Sequence, residues 1–139
     1  MHVQEVSLEQ TRALRQAILR PHETLEELAA DEPSNAFAVG AFKDGELVAV
    51  GLIAPDGGPG AWRVRGMATA PHARGVGAGT EVLVALVRRA LEHGASRVWC
   101  NARTPARSLY ERAGFHVISE EFELPQIGPH FVMEQKTSA

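Results

Sequence analysis

Residues 71–80, Pro71-His72-Ala73-Arg74-Gly75-Val76-Gly77-Ala78-Gly79-Thr80, restrict the fold more than any other segment. This glycine-rich loop joins an alternating run, Trp62 to Thr69, to the strongest amphipathic helix pattern in the chain. In that helix Val82, Leu83, Leu86, Val87, Ala90 and Leu91 recur at three and four residues, and Gly94 supplies the stop. A short apolar strand, Arg97 to Ala102, follows. Strand, loop, helix and strand make a crossover unit, so the two strands are expected to run parallel.

The flanking segments read differently. Met1 to Glu5 fits a short strand, and Ser7 is an N-cap for a helix carrying Leu8, Leu14, Ile18 and Leu19 that stops at Pro21. Glu23 to Ala30 fits a second, shorter helix. Phe37 to Phe42 and Leu47 to Ala54 flank Asp44-Gly45, a hairpin signature, and Trp62 to Thr69 adds a third antiparallel strand. Phe37, Phe42, Leu47, Val50 and Leu52 are assigned to the core. After Pro105 come a short helix to Ala113 and strands near His116 to Phe122 and His130 to Gln135. The sheet is therefore mixed: an antiparallel meander, a parallel pair and a hairpin at the back.

With 139 residues, the chain suits one domain spanning 1–139. Its 45% hydrophobic and 22% charged residues exclude disorder over most of the length. No run is long enough for a membrane span, and Met1 to Leu19 lacks the apolar centre of a signal peptide, so a cytosolic protein without membrane partners is expected. The net charge of −3 argues against a nucleic-acid partner. Residues 61–115 nevertheless hold 9 basic and 3 acidic side chains, while residues 1–60 hold 4 and 10. That basic island can attract a small anion, or its arginines can lie scattered on solvated faces. Cys100 stands alone, which leaves no intramolecular disulfide and no cysteine-based zinc site; no metal is expected.

Glycines before a helix let unpaired backbone N–H groups approach a ligand, and with the helix dipole they favour an anion such as pyrophosphate. A turn without a ligand is the alternative. A P-loop needs glycine, lysine and then serine or threonine, and the chain has no Gly-Lys pair. A dinucleotide fingerprint needs G-x-G-x-x-G, whereas the glycines here fall at 75, 77 and 79.

The remaining pattern, Arg74-x-x-Gly77-x-Gly79, resembles the acetyl-coenzyme A signature of the GCN5-related N-acetyltransferase (GNAT) superfamily, Q/R-x-x-G-x-G/A. Met67-Ala68-Thr69-Ala70-Pro71 resembles the family's strand before the loop, and Ser108-Leu109-Tyr110-Glu111-Arg112-Ala113-Gly114-Phe115 its tyrosine helix followed by Gly-Phe. Asn101 to Ala106 and Gly128-Pro129-His130-x-x-Met133-Glu134 are similar to the ElaA-like branch. The resemblance implies an α/β (α+β) fold: a mixed, mainly antiparallel sheet with a central parallel pair splayed at one end, helices on both faces. It also implies acetyl-CoA as co-substrate, a small-molecule amine as acceptor and direct attack in a ternary complex.

By that likeness the backbone of Met67, Ala68 and Thr69 follows the pantetheine arm, and Arg74, Gly75, Val76, Gly77, Ala78, Gly79 and Thr80 hold the pyrophosphate. Tyr110, the one tyrosine, occupies the general-acid position; the alternative is a core aromatic whose hydroxyl finds a backbone partner. Asn101, at the end of the parallel strand, can bond the cofactor or cap a turn. Where the commonest family pattern has an asparagine, this chain has Arg103. The glutamate that many relatives use as base is missing from Trp62-Arg63-Val64-Arg65-Gly66, which makes His130 the next candidate, against a structural histidine in a Pro-His turn. Cys100 as an acyl-carrying nucleophile competes with a small buried thiol. A non-catalytic acyl-CoA sensor on the same fold is the second functional class, and the oligomeric state, a homodimer included, stays open.

Overall fold

The computed structural model describes residues 1–136. The first strand, β1 (His2–Val6), leads into α1 (Leu8–Leu19), whose start is fixed by a capping box: Gln10 N–H donates to Ser7 Oγ and Ser7 N–H to Gln10 Oε1. Thr24 and Glu27 repeat the device, so α2 begins at Leu25, two residues later than the sequence suggests, and ends at Ala30.

Strands β2 (Phe37–Lys43) and β3 (Glu46–Pro55) form the expected hairpin. Its two turn residues, Asp44 at φ 53° and Gly45 at φ 82°, both take the left-handed conformation that a two-residue turn of this hand requires. β4 (Ala61–Thr69) continues the meander. After the glycine loop come α3 (Ala78–Glu92), β5 (Arg97–Arg103) and α4 (Arg107–Arg112). The last strands are β6 (His116–Val117), β7 (Phe122–Leu124) and β8 (Gly128–Lys136).

The sheet order is β1-β2-β3-β4-β5-β8-β6, with β7 also on β8. β4 and β5 are parallel, as the crossover requires, and every other pairing is antiparallel. One feature departs from the sequence reading: the strand placed at 116–122 is two pieces, and between them the Ser119 hydroxyl, not a strand carbonyl, accepts the Val132 N–H at 2.8 Å. β7 and β8 form the hairpin at the back, and β8 also inserts between β5 and β6.

Val82, Leu83, Leu86 and Ala90 of α3 are fully buried with Ile53, Val98, Cys100 and Met133 of the sheet, and this forms the main core. Val50 and Leu52 are buried as expected, whereas Phe37, Phe42 and Leu47 are half-buried and Leu91 is exposed. Phe37 packs against this core and also lies under the Arg89 guanidinium, 4.5 Å from its ring centre.

Candidate active site

β4 and β5 pair only from Ala61↔Arg97 to Arg63↔Trp99. Beyond Arg63 they diverge, so backbone groups of residues 64–69 that face β5 have no strand partner there. The cause lies in β4. Between the pairs Val50↔Ala68 and Leu52↔Arg65, β4 contains one residue more than β3, and Gly66 adopts φ 63°. Such a bulge bends its strand and increases the local twist.

The glycine loop opens beside this gap. Gly75 (φ 83°) and Gly77 (φ 86°) are left-handed, and a Cβ at either would meet nothing within 4 Å. Gly79 differs, for its Cβ would stand 3.1 Å from Thr69 Oγ1. Two glycines thus shape an open cradle and the third seats α3 on β4. The first backbone bond of the helix runs from Glu81 N–H to Gly77 O, and no side chain caps the end. The N–H groups of Ala78, Gly79 and Thr80 therefore remain available for an anion beside the exposed Arg74.

A continuous cleft of about 1040 Å³ runs from this cradle through the β4/β5 opening to the wall formed by α1 and α2. Met67, Thr69, Arg74, Gly75, Gly77, Ala78, Gly79, Thr80, Asn101, Tyr110 and His130 all line it. Ala68 and Val76 do not: Ala68 is buried in register with Val50, and Val76 is 48% exposed on the outside of the loop. Asn101 is half-buried and makes no side-chain hydrogen bond among the described residues.

Tyr110 is 5% exposed and packs edge-on against Phe115, with 5.5 Å between ring centres. Its hydroxyl is a neighbour of the Cys100 thiol. Burial, with the neighbouring thiol, holds the phenol well above the ordinary tyrosine range. Burial likewise pushes the Cys100 thiol up to about 12, so it is not a thiolate at neutral pH.

His130 is 4% exposed, and its ring stacks on Phe122. Nδ1 lies 2.8 Å from the Gly128 carbonyl oxygen, which can only accept. In the neutral ring that places the proton on Nδ1 and the lone pair on Nε2.

The profile of the Acetyltransferase (GNAT) family matches residues 4–115. The chain belongs to this family. It is 34% identical over 140 residues to the uncharacterized N-acetyltransferase YitI of Bacillus subtilis, covering 96% of this chain and 94% of that one. Among solved structures, Escherichia coli ElaA superposes with a TM-score of 0.79 at 19% identity, over 98% of this chain and 100% of the other. An aminoglycoside 6'-N-acetyltransferase complexed with coenzyme A gives 0.81 at 14%, over 98% and 97%. Both share the GNAT fold with this chain.

Within this GNAT domain, several cleft residues were not legible in the sequence. Arg15 of α1 crosses the bulge: a Cβ at Gly66 would be 3.1 Å from Arg15 Nε. Arg15 is held by Glu32 at 2.6 Å and by Thr11 at 3.2 Å. Arg20, Arg65 and Arg103 complete a basic wall. A glycine inside a strand pattern is a bulge signal, so Gly66 could have been found; the arginines could not, because α1, β4 and β5 meet only in the fold. No group of three or more His, Cys, Asp or Glu side chains able to hold a metal occurs among the described residues.

Proposed function

We propose that the protein transfers the acetyl group of acetyl-CoA to a primary amine of a small molecule, by direct attack in a ternary complex. The observation that carries this reading is the single cleft joining the glycine cradle, the gap between β4 and β5, Tyr110 and His130. Acetyl-CoA supplies an activated thioester; the amine nitrogen bonds to the acetyl carbon as the carbon–sulfur bond breaks.

Each part of the cleft then has a task. The N–H groups of Ala78, Gly79 and Thr80, with Arg74, hold the pyrophosphate, and the open left-handed positions at Gly75 and Gly77 leave it room. The unpaired edge of β4 from Met67 to Thr69 follows the pantetheine arm and offers an N–H to the thioester oxygen. Nε2 of His130 takes the proton released by the amine. Tyr110 gives its proton to the departing sulfur and regains it through solvent from His130. The Asn101 side chain, which makes no hydrogen bond among the described residues, is free to bond either substrate.

The test is thiol release from acetyl-CoA across a broad panel of amines, with coenzyme A affinity measured in parallel. Amine-dependent release supports transfer. Tight coenzyme A binding without turnover on any amine would make the chain a sensor module on this fold. Arg74→Ala is expected to weaken coenzyme A binding, more so at low salt. A Gly77→Val variant is a poorer probe, since a β-branched residue at φ 86° strains the helix start whatever binds there.

A further inference from the structure

The cleft is lined by more basic than acidic side chains. On its α1 and α2 side, Glu32 is held by Arg12 at 2.9 Å and Arg15 at 2.6 Å, and Glu23 by Arg20 at 3.2 Å. Asp31 is exposed at the end of α2. Facing them, Arg65 and Arg103 are half-buried and form no ion pair among the described residues.

Arg103 is the sharper case. Burial, then the neighbouring Arg20, holds its guanidinium below the ordinary arginine range, and no carboxylate opposes that effect. Burial, then Arg63, acts on Arg65 in the same direction, with Asp31 and Asp56 opposing at longer range. Each guanidinium spends one donor on a backbone carbonyl: Arg103 Nη2 on Leu19 at 2.9 Å, Arg65 Nη2 on Asp31 at 3.4 Å. Five N–H groups per guanidinium leave most donors unspent. Half-buried like charges of this kind cost stability unless an anion joins them.

Arg103 is also the register partner of His130 across β5 and β8. Directly opposed residues on one face of an antiparallel pair are close neighbours. Resting on the acetyltransferase reading above, we infer that the acceptor carries its own anionic group, a carboxylate or a phosphate, close to the amine. Arg103 holds that group in a forked contact while the amine faces His130, and Arg65 adds to the field from β4. Polycationic amines are excluded by the same wall. Capping the ends of α1 and α2 is the plainer task for these two arginines, and it requires only a charge near the carbonyls.

The two tasks separate in acceptor pairs that differ only in the anionic group. Thiol release is measured with 4-aminobutanoate against n-butylamine, phosphoethanolamine against ethanolamine, and spermidine, and the two anionic arms distinguish carboxylate from phosphate. The wild type is expected to favour an anionic member by about 10-fold or more in kcat/KM, the weight of a charge-assisted contact. Arg103→Gln should raise KM for that member and bring the ratio toward one, and Arg65→Gln should act less. Arg103→Lys, which keeps the charge at the helix end, serves if the glutamine variant does not fold; it should still lose most of the preference, because the fork is gone. A capping role alone would lower Tm and slow both members equally.

Faster turnover of butylamine, ethanolamine or spermidine overturns the proposal, as does an undiminished anionic preference in folded Arg103→Gln. In either case the acetyltransferase reading stands. Absence of coenzyme A binding by the wild type would remove that reading instead.

Discussion

The Glu32 carboxylate closes on the Arg15 guanidinium at 2.6 Å, linking the end of α2 to a side chain that lies over the Gly66 bulge. Burial works against the charge on Glu32, but the hydrogen bonds from Arg12 and Arg15 outweigh it and hold the carboxyl below its usual 4.5. Glu32→Gln leaves two arginines without their partner. Breaking a buried pair from one side costs about 3 kcal/mol or more, and denaturant titration should find a loss of that size.

The same ion pair fixes a pH dependence. A carboxyl whose pKa is depressed by folding contributes its full stability above the unfolded value, here near 4.5, and loses it as pH falls through the lower folded value. Wild type and Glu32→Gln should therefore differ most at neutral pH and converge below about pH 4.5. A gap that stays constant into acid would show that folding does not lower the pKa of Glu32.

Gly66 ties that pair to the opening of the sheet. At φ 63° it has a conformation an alanine adopts only under strain, and the added Cβ would stand 2.6 Å from Leu52 Cδ1. Gly66→Ala is expected to lose about 1 to 3 kcal/mol. It should also weaken coenzyme A binding, because the bulge sets the gap between β4 and β5. Calorimetry on the folded variant checks the second effect, and unchanged affinity would separate bulge from gap.

What the sequence disclosed was local. The Ser7 cap, the Asp44-Gly45 turn and the glycine loop of Gly75 and Gly77 each depend on neighbouring residues, and each lies where the pattern places it, whereas the Thr24 cap was missed. The parallel pairing of β4 and β5 followed from the crossover between them. The insertion of β8 between β5 and β6, the meeting of Arg103 with Leu19, and the spending of Glu32 on Arg12 and Arg15 join positions far apart in the chain. Charge counts along the sequence therefore did not show which charges face the cleft. Ion pairing, rather than composition, decides which charges a ligand meets.

Cys100 bears on whether the acetyl group ever rests on the protein. With its thiol at about 12 and buried, it should resist iodoacetamide in the native protein, and mass spectrometry after acetyl-CoA alone should show no added acetyl group. An acetylated Cys100 would replace direct attack by a two-step transfer.

If Nε2 of His130 accepts the proton of the amine, removing it must slow transfer more than it weakens binding. His130→Gln keeps a polar side chain of similar reach but no base. Its kcat should drop by about 10²-fold with coenzyme A affinity unchanged. Full activity would assign the base to another group or to water.

Tyr110 and Cys100 together set the terms for the leaving group. Burial keeps the phenol protonated, so a proton is available to the departing sulfur at any pH where the protein is folded, and no basic limb should arise from this residue. Tyr110→Phe retains the edge-on contact with Phe115 and removes only the hydroxyl that faces Cys100. As general acid, Tyr110 predicts a fall in kcat of about 10²-fold or more with coenzyme A affinity unchanged. As a purely structural partner of Cys100 it predicts lower thermal stability and turnover close to wild type. A double variant, Tyr110→Phe with Cys100→Ala, discriminates further, since it removes both of the neighbouring polar groups. Stability should then recover toward that of Cys100→Ala, whereas kcat should stay as low as in Tyr110→Phe. Recovery of kcat along with stability would end the general-acid assignment.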